Sequence, residues 1–185
     1  MAWKIFLGVG AIFAIHAVVL WLLGQPIICA CGYVQVWHGS VLDAGNSQHL
    51  FDWYSLSHVI HGLLFYALFT YLFPRLPLAH RLLLSVGLEA AWEIVENTPA
   101  VINYYREQAL AQGYSGDSII NSLSDAVAAL CGFLFASRAR TLTSVIVALF
   151  LECLALYMIH DNLTLNIMQF FWQPDFLAQW QSQIQ

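Results

Sequence analysis

Three glutamates, Glu89, Glu93 and Glu96, punctuate the stretch SVGLEAAWEIVEN at residues 85–97. Their spacing of i, i+4 and i+7 lines them along one stripe of a helix. The stretch otherwise reads as a membrane helix, in which each carboxylate costs about 2.5–3.5 kcal/mol on insertion scales. Three on one stripe need partners: cations, hydrogen-bond donors, protons or a metal. His58 and His61 stand at i, i+3 and share a helix face, as metal-binding pairs on helices do. Asp117, Asn121 and Ser124 with Asp125 share a face of another helix. Carboxylates with imidazoles suit Zn²⁺ or non-haem iron, or manganese where oxygen ligands dominate. The expected centre is therefore zinc or another divalent metal held by His58, His61, Glu93 and Asp125. Glu93 and Glu89 are the candidate catalytic acids. Ser57, Glu96, Asn97, Asp117, Asn121, Glu152 and His160 are expected behind the ligands or against a substrate.

A structural reading of the same residues stands beside this one. Intramembrane acids and histidines also hydrogen-bond one another and fix helix register. Glu96, Asn97 and Asp117 lie near helix ends, where they can act only as caps. His38, His49 and His80 read as ordinary loop residues.

The elements that must position these groups are apolar helices. The chain has 185 residues, of which 60% are hydrophobic and only 9% charged. Soluble domains carry about 25% charged residues, so this composition describes an all-α, polytopic membrane bundle. Five spans are expected, at residues 5–24, 54–73, 78–97, 118–136 and 141–160, forming one domain over residues 1–185. The first apolar run is about 20 residues, against about 7–15 in a secretory signal, so it is expected to be a retained helix. Residues 27–53 contain no Lys or Arg, and their aromatics suit a membrane interface. A short interfacial helix is expected at 102–112. Ser115-Gly116-Asp117 reads as the N-cap of the fourth span. Phe170-Phe171-Trp172 is expected along the interface.

Lys4, Arg75, Arg81, Arg138 and Arg140 flank one set of span ends. The positive-inside rule puts those ends in the cytoplasm, with the amino end inside and the carboxyl end outside. The spans then bring His58, His61, Glu89, Glu93, Asp125 and Glu152 together under the outer surface. At about 1.5 Å of rise per residue, His61 and Asp125 lie roughly 9–10 Å deep. Glu89, Glu152 and His16 lie about 12 Å deep. Cys29 and Cys31 fall on the oxidising side. A disulfide across one intervening residue conflicts with ordinary disulfide spacing, so two free, partly buried thiols are expected, with a copper or zinc pair as the alternative.

Three strings, WYSLSHVIHG (53–62), WEIVEN (92–97) and YSGDSIINS (114–122), resemble an uncharacterised family of bacterial inner-membrane proteins known as a domain of unknown function. The resemblance covers most of the chain. It implies a multi-pass inner-membrane location and no particular activity. More distantly, a Glu on one helix followed by Asp117-x-x-x-Asn121 at the start of the next is similar to VanZ-like membrane proteins, with Gly132 as a later matching glycine.

The formal net charge is −5, from 11 acidic against 6 basic residues, and no basic patch exists, so nucleic acid is excluded as a partner. The expected function is a metal-dependent hydrolase or transferase acting on a lipid or lipid-linked substrate. Its alternative is a non-enzymatic lipid or precursor binder, a small transporter, or a subunit of a larger membrane complex. Membrane lipids are the expected partners, with a homo-oligomer or larger assembly as a further one. A third reading places haem between His16 and His61 or His160.

Overall fold

The computed structural model describes residues 2–108, 110 and 113–183. Among these described residues eight helices follow one another: α1 (Ala2–Leu22), α2 (Ser55–Leu72), α3 (Leu78–Glu96), α4 (Pro99–Arg106), α5 (Ile119–Ala136), α6 (Thr141–Ile159), α7 (Leu163–Gln169) and α8 (Asp175–Gln181). Among the described residues no strand forms, apart from an isolated parallel bridge between Trp37 and Phe51. α1, α2, α5 and α6 are long and apolar enough to cross a membrane. α3 has 19 residues as well, but Arg81 and its three glutamates set it apart in apolarity.

The centre of the bundle is the α2–α5 crossing, and two glycines let it close. A Cβ on Gly62 would collide with the Ala129 carbonyl oxygen and lie 2.6 Å from the Phe133 nitrogen. A Cβ on Gly132 would collide with the Val59 carbonyl oxygen. Small residues that admit such close backbone approach are the usual glue between membrane helices. Ala126, Ala129 and Phe133 bury the rest of this seam.

α3 packs against α1, α2 and α5, which encloses its glutamate stripe. A short turn joins α2 to α3, and Arg81 donates to Thr70 Oγ1 across it at 2.7 Å. α1 and α6 form the periphery. Trp3, Phe6, Ile15, Val18 and Trp21 of α1, and Leu142, Ile146, Leu149, Phe150 and Tyr157 of α6, are exposed apolar side chains. Such faces belong in lipid.

Three local expectations change. The cap of α5 is Ser118, whose Oγ accepts from Asn121 N at 3.2 Å. Asp117 is freed from capping for another role. The short helix after α3 begins at Pro99, whose missing N–H suits a first helical position. It ends at Arg106, and Gln112, the far end of the expected helix, lies outside the described residues. The tail around the exposed Phe171 and Trp172 holds two further helices that the sequence did not lead one to expect. These are α7 and α8, whose Leu163, Gln169, Leu177 and Gln181 are buried.

Candidate functional site

The polar side chains come from one end of the bundle: the amino ends of α2 and α5, the carboxyl ends of α3 and α6, and the loops beside them. Glu89 is fully buried and lies between two histidines of α2. Its Oε1 is 2.6 Å from His58 Nδ1. Its Oε2 is 3.1 Å from His61 Nδ1. Helical i, i+3 spacing puts the two rings side by side, with centroids 5.2 Å apart and planes near perpendicular at 81°. A carboxylate that accepts Nδ1–H fixes the tautomer and leaves Nε2 as the free base. Neither Nε2 has a hydrogen-bond partner among the described residues.

One turn along α3, Glu93 is 1% exposed. Its Oε2 accepts from Ser122 Oγ at 2.6 Å, and that hydroxyl lies 2.8 Å from His16 Nε2. Its Oε1 stands 3.1 Å from His58 Nδ1 but is not aligned for a hydrogen bond, since that nitrogen is directed to Glu89. Glu93 Oε1 is therefore a buried oxygen without a hydrogen-bond partner. Across from it, Asp125 of α5 accepts from Ser55 Oγ at 2.5 Å. One ligand atom each from His58, Glu93 and Asp125 lie within 4.8 Å of one another. His58, His61 and Glu89 form a second such group, and Glu93, Glu96 and Asp117 a third.

The third group is braced from outside. Asn97 donates from Nδ2 to Asp117 Oδ2 at 2.6 Å and accepts from the Asp117 backbone N–H at 2.7 Å. Tyr114 donates its hydroxyl to Asp117 Oδ1 at 2.8 Å. Burial pushes the Asp117 carboxyl up to about 6, against these two hydrogen bonds, which lower it.

Part of this cluster lines a cavity. Ser57, His58, His61, Glu96, Asp117 and Asp125 meet Tyr54, Trp92, Tyr105 and Tyr114 there. No lysine or arginine is among the lining residues. The carboxyl-terminal segment covers it. Phe170 stacks on Tyr104 at 4.8 Å and meets Trp92 edge-on at 6.2 Å. Asp161, Leu163, Asn166 and Gln181 enter the lining. Asp161 is held by Tyr54 OH and Asn166 Nδ2, and burial pushes its carboxyl up to about 7.

The family model described as "Protein of unknown function (DUF2585)" matches residues 20–183. The chain belongs to that family. It is 49% identical over 172 residues to a UPF0314 protein of Brucella anthropi, covering 93% of this chain and 87% of the relative. A UPF0314 protein of Rhizobium etli is 47% identical over 176 residues, covering 95% and 90%. One of Sphingopyxis alaskensis is 43% identical over 172 residues, covering 93% and 92%. No solved structure matches the chain. The family resemblance read from the three strings is thus shown, whereas the similarity to VanZ-like proteins is not.

Against this geometry the expected ligands divide. His58, Glu93 and Asp125 converge, but His61 groups with His58 and Glu89 rather than with the two acids. Both Glu89 oxygens face histidine nitrogens, so its place is behind the imidazoles. Asn121 is 1% exposed and lies outside the cavity lining, with neither amide atom partnered among the described residues. Glu152 is turned elsewhere. It accepts from the Leu163 and Thr164 backbone N–H groups and from Thr164 Oγ1, holding the amino end of α7. His160 stacks on Trp180 at 4.3 Å, joining α6 to α8. The haem pair has no support, because His16 Nε2 is engaged by Ser122 and His160 by Trp180.

The loop before α2 departs most from expectation. Cys29 and Cys31 are joined as a disulfide, not free thiols. The spacing objection fails because the two Cα atoms stand 5.1 Å apart, within the ordinary range. His49 is a loop residue, as expected, but a buried one. It stacks on Tyr33 at 5.4 Å and accepts from Gln35 N. Asp52, which the sequence reading passed over, is buried too. It accepts from the Ser47 and Tyr54 backbone N–H groups, while its own N–H donates to Ser55 Oγ.

Proposed function

We propose that this protein is a metal-dependent hydrolase or transferase of the bacterial inner membrane, with its cavity opening toward the periplasm. The substrate is a lipid or lipid-linked molecule. The observation that carries the reading is the convergence of His58, Glu93 and Asp125 from three different helices, with His58 and Asp125 on the cavity wall and Glu93 buried behind it. Three buried side chains with one open side match the catalytic type of site, which keeps a position for water or substrate. His58 would bind through Nε2, with its Nδ1–H held by Glu89 as carboxylates hold ligand histidines elsewhere. A divalent metal held there would supply a water acidified toward about 7 for attack on an ester, amide or phosphoester. Glu96 on the cavity wall and the buried Glu93 one turn away would be placed to take its proton. The Tyr and Trp lining suits the apolar portion of such a substrate.

Metal analysis of protein purified in detergent without chelator tests this. Stoichiometric zinc, manganese or iron is expected, falling on His58→Ala and Asp125→Asn substitution. Absence of stoichiometric metal, with a fold unchanged by chelator, overturns it.

The second reading is a lipid or precursor binder, or a subunit of a membrane complex, without chemistry. The tail favours it, because α7 and α8 close the cavity as a binding protein would. A lipid that copurifies in the cavity and stays bound after Glu93→Gln substitution would decide for it.

A further inference from the structure

We infer that the protein holds a second divalent cation between Glu93, Glu96 and Asp117, so that Glu93 bridges two ions. This rests on the metal reading above, which supplies the first ion. The two acid groups, His58–Glu93–Asp125 and Glu93–Glu96–Asp117, share one residue. Within each, the ligand atoms lie within 4.8 Å of one another. A carboxylate with two oxygens and two neighbouring ligand sets is the usual bridge of a two-metal site.

Two further observations point to a ligand there. Glu93 is 1% exposed and its Oε1 has no hydrogen-bond partner. A buried carboxylate oxygen whose one near nitrogen, His58 Nδ1 at 3.1 Å, is directed to another acid is costly unless a cation or proton meets it. Gln108 lines the same cavity, is 7% exposed, and its Nε2 also lacks a partner among the described residues. That donor suits a water or an anionic oxygen carried by the ion.

The two histidines of α2 supply the cationic side-chain compensation among the lining residues, and both are directed to Glu89. The cavity lining includes no lysine or arginine. Arg106, on the neighbouring α4, donates its Nε to the Tyr114 carbonyl. The outer bracing is also that of a ligand set. Asn97 and Tyr114 hold Asp117, as outer partners orient metal-binding carboxylates.

The test is metal stoichiometry on the full chain in detergent, loaded with Mn²⁺ and dialysed, together with its electron paramagnetic resonance spectrum. Two ions per chain and an exchange-coupled spectrum are expected. The Glu96→Gln/Asp117→Asn variant should hold one ion and give an isolated six-line signal. Its helical content, read by circular dichroism, controls for folding. The wild-type count needs no variant. One ion in both proteins overturns the second site and leaves the first standing. No ion in the wild type overturns both.

Discussion

Glu89 Oε1 lies 2.6 Å from His58 Nδ1, and the carboxylate reaches His61 with its other oxygen. One buried acid on α3 thus sets the orientation of two imidazoles on α2. If these rings serve a metal, Glu89 governs affinity without touching the ion. Glu89→Gln should weaken metal binding by about 10–100-fold, the range for loss of an outer carboxylate. Competition with a chromophoric chelator measures it. Unchanged affinity would remove Glu89 from the metal site.

The α2–α5 crossing makes a separate prediction about folding. A methyl at Gly132 would collide with the Val59 carbonyl, a backbone atom with no rotamer to relax into. Gly132→Ala should therefore cost about 3 kcal/mol, the upper end of ordinary overpacking. Gly87 has nothing within 4 Å of where its Cβ would stand. Gly87→Ala should instead gain about 0.5–1 kcal/mol from helix propensity. Denaturation in detergent compares the two, and equal effects would contradict the crossing.

Cysteine chemistry reports on the loop before α2. Cys29 and Cys31 are bonded, and Cys131 and Cys153 are free and exposed. Alkylation of unfolded, unreduced protein should add two groups by mass. Prior reduction should raise this to four. Four additions without reductant would return Cys29 and Cys31 to the thiol state.

The tail should loosen as pH rises. Burial raises the Asp161 carboxyl from its ordinary value near 3.8 to about 7 in the folded protein. The native state therefore holds this proton more tightly than the unfolded chain does. Its stabilising contribution is complete below pH 3.8 and is lost as pH rises through about 7. Hydrogen exchange across residues 161–183 should speed up over that range, and Asp161→Asn should flatten the dependence. Protection that increases with pH would contradict the assignment.

The long helices were legible because each is a near-continuous apolar run with polar or proline-bearing ends. α2 and α3 match their expected bounds within a residue or so, and α5 differs only at its cap. The depth of each polar group could be counted along its helix, which put His61 with Asp125 in one layer and His58 with Glu93 in a shallower one. Direction around the helix axis could not be counted. Glu152 sits at the same depth as Glu89, yet it points to the amino end of α7. Tertiary contacts hid the rest. Phe170 and Gln181 join the site only because α7 and α8 fold back, and that reversal leaves no periodic trace in a polar, aromatic tail. His49 and Asp52 look like surface loop residues by composition, and their burial follows from how residues 47–48 bond to Gly116 and Ser118 beside α5.

Anomalous X-ray diffraction from crystals of the full chain, collected at the edge of the metal found by elemental analysis, tests the central claim most directly. The account requires a peak between α2, α3 and α5, about 2.0–2.2 Å from a His58 nitrogen and from oxygens of Glu93 and Asp125. Clear density for these side chains with water or direct hydrogen bonds between them, and no peak at any metal edge, would contradict it.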